Sequence, residues 1–317
     1  MARLQYVLFV GVTSLSWAIA IPMSQPGIAS SSPIDLVTWQ PNVLEAIILG
    51  MVQGLTEFIP ISSSAHLKVI PEFLGWGDPG ASFTAVIQLG SIVAVIWYFW
   101  KDLIQVFGGG LRAILSRDYQ NENFKIALGI ILGTIPISVV GLIVKLGFRE
   151  FYEFTARSLV VIAIVSIVMG LLLGLTEQFC RHKRTFSQLQ TRDGILMGLA
   201  QTLALIPGVS RSGSTITAGL FMGLERATAA RFSFLLGLPA ITLAGIVELG
   251  DVLEATETVG PPFPLIAGIL SAGVFSYLSI AWLINYLKTQ STWLFVWYRV
   301  AFGIVILGGL ASGLLQS

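Results

Sequence analysis

Long apolar runs separated by two polar interruptions set the pattern of this chain. The runs fall at about 83–100, 126–145, 158–176, 229–248, 263–287 and 293–314. Each is near the ~20 residues that a helix needs to cross a bilayer, and none alternates as a barrel strand would. Two segments break the pattern. The first, 43–59, begins as an apolar helix and stops at Pro60, with Ser62, Ser63, Ser64 and His66 following at once. Proline removes a backbone donor and ends the helix there. Gln53 and Glu57 lie four apart and so share one helical face. The second interruption, 194–215, carries Pro207, Gly208, Ser210, Arg211, Ser212, Gly213, Ser214 and Thr215. A further apolar run, 4–21, stands behind Arg3 and ahead of a Ser/Pro/Gly-rich linker. It reads as a signal peptide cleaved after Ala18-Ile19-Ala20 or as an uncleaved first helix.

The second interruption repeats the first. A constant shift of 148 pairs Gly50 with Gly198, Gln53 with Gln201, Leu55 with Leu203, Ser62 with Ser210 and Ser64 with Ser212. Pro60 and Pro207 are one place out of register. Glu57 faces Leu205 and Ser63 faces Arg211, so the halves differ at their charged positions. The expected architecture is an all-α integral membrane protein with three parts: an N-terminal hydrophobic segment and polar linker (1–42), a first repeat (43–177) and a second (178–317). Each repeat is one re-entrant broken helix plus three transmembrane helices. Three is odd, so the halves have opposite orientations, the inverted-repeat plan of many transporters.

Composition agrees. The 317 residues are 55% hydrophobic and only 11% charged, against about 25% charged in a soluble domain. One cysteine, Cys180, excludes an intrachain disulfide, and two histidines argue against a multi-histidine zinc centre. The loop charges orient the chain. With the loop 101–125 inside, eleven Lys and Arg face inward, among them Arg112, Arg184, Arg226 and Lys288, against four outward: Lys68, Lys145, Arg149 and Arg157. This positive-inside bias places the first broken helix on the outer side and the second on the inner side, so that their tips meet near the middle.

The two tips gather Glu57, Ser62, Ser63, Ser64, His66, Ser210, Arg211, Ser212, Ser214 and Thr215. Polar groups inside a membrane are costly and mark function by default. The Arg211 fork suits two phosphate oxygens, Gly208 and Gly213 allow tight turns, and the helix after Ser212 can point N–H groups at an anion. An Arg211–Glu57 ion pair that only joins the repeats is the competing reading. Glu57 could hold a divalent cation or act as a general base, His66 could carry a proton, and a tip serine could attack phosphorus or merely bond its oxygens. Gln53 and Glu57 make a thin metal site, of the kind magnesium completes with substrate phosphates. Gln88, Glu248 and Arg299 read as packing or snorkelling residues.

The stretch QGLTEFIPISSSAH followed far downstream by PGVSRSGST closely resembles the bacterial undecaprenyl-diphosphate phosphatases of the bacitracin-resistance type. The resemblance covers the chain from about Val43 to its C-terminus. It places the family's glutamine-or-glutamate, three residues, glutamate motif on Gln53 and Glu57, its catalytic histidine on His66, its tip serine on Ser63 and its essential arginine on Arg211. It implies removal of the terminal phosphate from a C55 isoprenyl diphosphate, assisted by a divalent cation (Mg or Ca), in the plasma membrane with the site open to the outer side. That reaction recycles the lipid carrier for cell-wall synthesis and confers bacitracin resistance. The polar serines and threonine, Ser62, Ser64, Ser210, Ser212, Ser214 and Thr215, are then expected phosphate binders. The expected partners are the lipid diphosphate and the bilayer, with room for a homodimer and no nucleic acid. The chain departs from the family in having Gln53 where many members have glutamate, and in about forty extra N-terminal residues. A transporter or flippase for a phosphorylated polyisoprenyl lipid is the alternative that an inverted repeat serves equally well.

Overall fold

A computed structural model describes residues 40–147, 157–254 and 262–315. The expected signal-like run at 4–21 and part of the loop 249–262 lie outside the described residues. Among those described, the structure is wholly α-helical with short 3-10 turns, in eleven helices. They are α1 Val43–Phe58, α2 Ser63–Phe73, α3 Gly80–Tyr98, α4 Trp100–Leu115, α5 Glu122–Gly147 and α6 Leu159–Phe179, then α7 Thr191–Gln201, α8 Arg211–Phe221, α9 Arg226–Glu254, α10 Pro262–Leu287 and α11 Trp293–Ala311. By length and composition α5, α6, α9, α10 and α11 can each cross a membrane. α3 qualifies together with α4, from which it is bent by 69°. The protein is a multi-pass membrane protein.

Both interruptions are helix–break–helix hairpins. α1 starts at an Asn42 capping box, in which the Asn42 side chain accepts from the Leu44 and Glu45 N–H groups and the Glu45 carboxylate accepts from the Asn42 N–H. It ends just before Pro60, and α2 returns from Ser63. α7 runs into a 3-10 turn, Thr202–Leu205, and α8 returns from Arg211. α8 begins at the place where a helix after Ser212 was expected, and α2 extends the expected pattern at the first break. α4 also differs from expectation: the segment read as an inner loop is a strongly amphipathic helix packed on α5. Gly109 and Gly110 allow that contact, because a Cβ at Gly109 would lie 2.7 Å from the Asn123 side chain and one at Gly110 3.2 Å from Ala127.

The packing repeats across the halves. α1 lies on α10 as α7 lies on α5, α3 meets α10 as α9 meets α5, and α6 pairs with α11. Small residues permit the two hairpin crossings. A Cβ on Gly50 would stand 2.3 Å from the Gly268 carbonyl oxygen, and one on Gly198 2.1 Å from that of Gly133. With no hydrophobic drive between helices in lipid, close backbone approach of this sort supplies much of the association. A hydrophobic core that includes Phe58, Phe232, Phe234, Ile216 and Leu283 fills the space between hairpins and spans.

Candidate active site

The hairpin tips meet, and their backbones match. Ser62 and Ser210, paired by the shift of 148, both adopt a positive φ, 78° and 71°. Such a conformation costs a non-glycine residue about 1–3 kcal/mol and persists only where the surroundings hold it. In each tip the serine two places on lies 3.2 Å away, Ser62 Oγ to Ser64 Oγ and Ser210 Oγ to Ser212 Oγ. The tips are joined directly, since Ser212 Oγ donates to the Ile59 carbonyl at 3.1 Å.

Arg299 holds both tips in place. It is 1% exposed and donates from Nη1 to the Pro60 carbonyl (3.0 Å), from Nη2 to Gly208 (2.7 Å) and from Nε to Ser166 (3.2 Å). The packing or snorkelling role expected of Arg299 is thereby corrected. The side chain is buried between the two breaks and satisfies the Pro60 and Gly208 carbonyls, which the breaks leave without helical partners. Arg299→Met should therefore lower the unfolding temperature in detergent, with about 1–3 kcal/mol lost for each carbonyl left unsatisfied. Unchanged thermal unfolding would mean that the tips hold without it.

Between the tips lies a cavity of about 200 Å³. Glu57, Ser62, Ser63, Ser64, Ser210 and Arg211 line it, with Gln88 on α3 and the apolar Ile137, Ala240, Ile241 and Ala244 opposite. Glu57 is the hub. Its Oε2 accepts from Ser63 Oγ at 2.6 Å and from Gln53 Nε2 at 3.2 Å, and its Oε1 accepts from Arg211 Nη2 at 3.3 Å. Both charged side chains are buried, at 8% and 9% exposure. Arg211 is only partly satisfied: its Nε and Nη1 are buried without a hydrogen-bond partner. Its guanidinium faces the Phe58 ring at 5.9 Å. On the other side α9 makes room, for a Cβ at Gly237 would fall 1.5 Å from Arg211 Nη1. Gly237→Ala should displace the guanidinium and weaken anion binding in the cavity without unfolding the protein, which calorimetry with inorganic phosphate and thermal melts together would read.

The remaining site candidates are placed elsewhere. His66 is 3% exposed and does not line the cavity. Its Nδ1 lies 2.7 Å from the Ser62 carbonyl, which can only accept, so Nδ1 carries a proton; Nε2 lies 2.6 Å from Tyr298 Oη. The ring stacks on Phe302 at 4.2 Å. In this arrangement His66 fixes the strained Ser62 rather than facing the cavity. Ser212, Ser214 and Thr215 are buried and bond within the protein. Ser214 and Thr215 donate to the Arg211 carbonyl, and Thr215 Oγ1 also lies 2.6 Å from Ser233 Oγ. Of the six expected phosphate binders, Ser62, Ser64 and Ser210 are the ones at the cavity wall.

Gln88 corrects its expected packing role by lining the cavity, whereas the side chain of Glu248 lies outside those described. The snorkelling reading of Arg299 was open to doubt in sequence, because an arginine seven residues into a span has no easy route to the surface. Gly237 offered no signal, since its contribution is the absence of a side chain.

No group of three or more His, Cys, Asp or Glu gathers to hold a metal among the described residues. A carboxylate has about four lone-pair sites, and Glu57 has three committed to Arg211, Ser63 and Gln53. One carboxylate with the Ser63 hydroxyl and the Gln53 amide oxygen fits a magnesium- or calcium-type site only as substrate phosphates and water complete it.

Comparison with known proteins follows the same residues. The family model described as bacitracin resistance protein BacA matches residues 46–305. A protein named undecaprenyl-diphosphatase from Trichormus variabilis is 57% identical over 311 residues, covering 98% of this chain and 97% of the relative. Proteins of the same name from Synechocystis and Gloeobacter violaceus are 55% and 53% identical, over 96% and 87% of this chain and 97% and 94% of their own lengths. The Trichormus match takes in most of the N-terminal segment as well, which is therefore shared with that relative. A hairpin pair with this tip geometry, a family match across both tips and identity above half over nearly the whole length lead to one conclusion: the chain belongs to the bacitracin resistance protein BacA family.

Proposed function

We propose that the protein hydrolyses undecaprenyl diphosphate to undecaprenyl phosphate and inorganic phosphate. It would thereby recycle the lipid carrier for cell-wall synthesis and confer bacitracin resistance, in the plasma membrane with its cavity open to the outer side. The observation that carries this reading is Arg211, whose buried Nε and Nη1 lack partners beside a polar cavity. A buried donor on a charged group left unbonded is expensive, and the oxygens of a bound phosphate would give these donors charge-assisted partners. α2 and α8 also begin at the cavity, so two helix N-termini favour negative charge there.

The chemistry follows from the Glu57 hub. Ser63 Oγ is already hydrogen-bonded to Glu57 Oε2, the relation of a nucleophile to its base. As the hydroxyl attacks the terminal phosphorus, Glu57 takes its proton and the bond to the bridging oxygen breaks. Undecaprenyl phosphate leaves and takes that proton from Glu57 onto its departing oxygen; the carboxylate so restored accepts a proton from the water that then attacks the phosphorylated serine and releases phosphate. Arg211 meets the equatorial oxygens as charge spreads over them. Gln53 orients the Glu57 carboxylate. A divalent cation held by Glu57, Ser63 and Gln53 would neutralise charge on the diphosphate when bound. On this account Gln53→Glu should be active and should lower the cation concentration needed for half-maximal rate. A folded but inactive variant would assign Gln53 another task.

The isoprenyl chain cannot enter a polar cavity of this size and must lie along apolar helix surfaces. Shorter isoprenyl diphosphates should react with a higher KM, and inorganic pyrophosphate poorly. The deciding experiment is release of phosphate from undecaprenyl diphosphate by the purified protein in detergent. No second compartment exists there, so release requires hydrolysis and not transport. No release by folded protein would favour a carrier of phosphorylated lipid.

A further inference from the structure

α3 and α9 occupy equivalent places in the two halves, and their sequences align. At a shift of 149, Phe83 falls on Phe232, Thr84 on Ser233, Gln88 on Gly237 and Ile92 on Ile241. At the shift of 148 that relates the hairpins, Ser63 falls on Arg211. In the second half the pair is a long side chain over an empty position: the Arg211 guanidinium fills the space where a Gly237 side chain would be. The first half reverses the sizes. Ser63 is short and Gln88 is long, so the pseudo-symmetry brings the Gln88 side chain to the flank of Ser63. Gln88 lines the cavity together with Ser63, Glu57 and Arg211.

Gln88 is the sole amide or charged side chain in α3, whose sequence GASFTAVIQLGSIVAVIWY is otherwise apolar or hydroxylic. It is half-buried, and no hydrogen bond engages it among the described residues. A carboxamide in a membrane-embedded helix needs a partner, and packing alone would be served by leucine. We propose that Gln88 is a substrate-binding residue whose amide N–H groups donate to a phosphoryl oxygen of the lipid diphosphate from the Ser63 side of the cavity, complementing Arg211. This rests on the hydrolytic reading above. The residue type suits the position: a second cation would compete with Arg211 for Glu57, and a carboxylate would repel the substrate, whereas a neutral amide offers donors without either effect.

The test compares wild type, Gln88→Leu and Gln88→Glu in one detergent. It measures KM for undecaprenyl diphosphate, inhibition by inorganic phosphate and thermal unfolding. Gln88→Leu should raise both KM and the phosphate inhibition constant about tenfold or more, the loss expected for a hydrogen bond to a charged group, at an unchanged unfolding temperature. Gln88→Glu should raise both further. Wild-type constants in Gln88→Leu would overturn the proposal, as would a higher KM accompanied by a lower unfolding temperature and an unchanged phosphate constant, the mark of a packing residue. If wild-type protein released no phosphate, the hydrolytic reading would fail on its own. Calorimetric binding of inorganic phosphate, weaker in Gln88→Leu than in wild type, would then still support the contact, and equal binding would overturn it.

Discussion

Glu57→Gln is expected to lower kcat for phosphate release by about 10²–10⁴, the range for losing a general base, while the protein remains folded and inserted. The substitution is nearly isosteric. The glutamine oxygen can still accept from Ser63 or Arg211, so the tips keep most of their bonds, but no group remains to take the proton of the attacking hydroxyl. The geometry makes this a strong expectation. Glu57 alone bonds Ser63 at 2.6 Å, Gln53 at 3.2 Å and Arg211 at 3.3 Å, and neither tip holds a second carboxylate. Phosphate release and thermal unfolding, measured on the same preparation, separate loss of chemistry from loss of fold. Turnover like wild type, with the same cation requirement, would remove Glu57 from both the base and the cation roles.

The spans were legible because bilayer thickness imposes a length on every crossing, and the breaks were legible because Pro60 and Pro207 interrupt apolar helices beside runs of serine. The return helices were harder to read. α2, SSAHLKVIPEF, is short, mixes polar and apolar residues and contains Pro71, so it has neither the length of a span nor a clear amphipathic period. α4 was hidden by Lys101 and Arg112, which read as loop charges although the exposed Trp100, Ile104, Phe107 and Leu111 form a stripe along one face. The site was legible where its residues repeat, as at Ser62 and Ser210, and where charge is out of place, as at Arg211. The tie that Arg299 makes between the tips was not legible, because its acceptors there are backbone carbonyls 239 and 91 residues away in the chain, which carry no side-chain signature. The serines and Thr215 all look alike in sequence. Only the turn of α8 decides that Ser210 reaches the cavity while Ser212, Ser214 and Thr215 bond to nearby backbone.

Arg211→Lys should be badly impaired although it keeps the charge, with kcat down by about 10²–10³, the usual cost of losing a preorganised donor to the transition state. The reason lies in which donors the structure leaves open. Arg211 gives Nη2 to Glu57 and keeps Nε and Nη1 buried and unbonded, so N–H donors on two edges of the guanidinium remain open to an anion. Lysine presents a compact ammonium that can reach Glu57 or the substrate but cannot span two oxygens in fixed geometry. The pocket is also cut to the guanidinium, with Phe58 beside it and the missing side chain of Gly237 against it, and a lysine would leave that space unfilled. If Arg211 served only to tie the hairpins together through Glu57, lysine would restore the pair and with it nearly all of the activity. Steady-state phosphate release by Arg211→Lys and Arg211→Ala, alongside thermal unfolding of both, distinguishes the two. Near-wild-type turnover by the lysine variant would assign Arg211 to the tie between repeats, while a stable but inactive lysine variant places the fork on the transferring phosphoryl group.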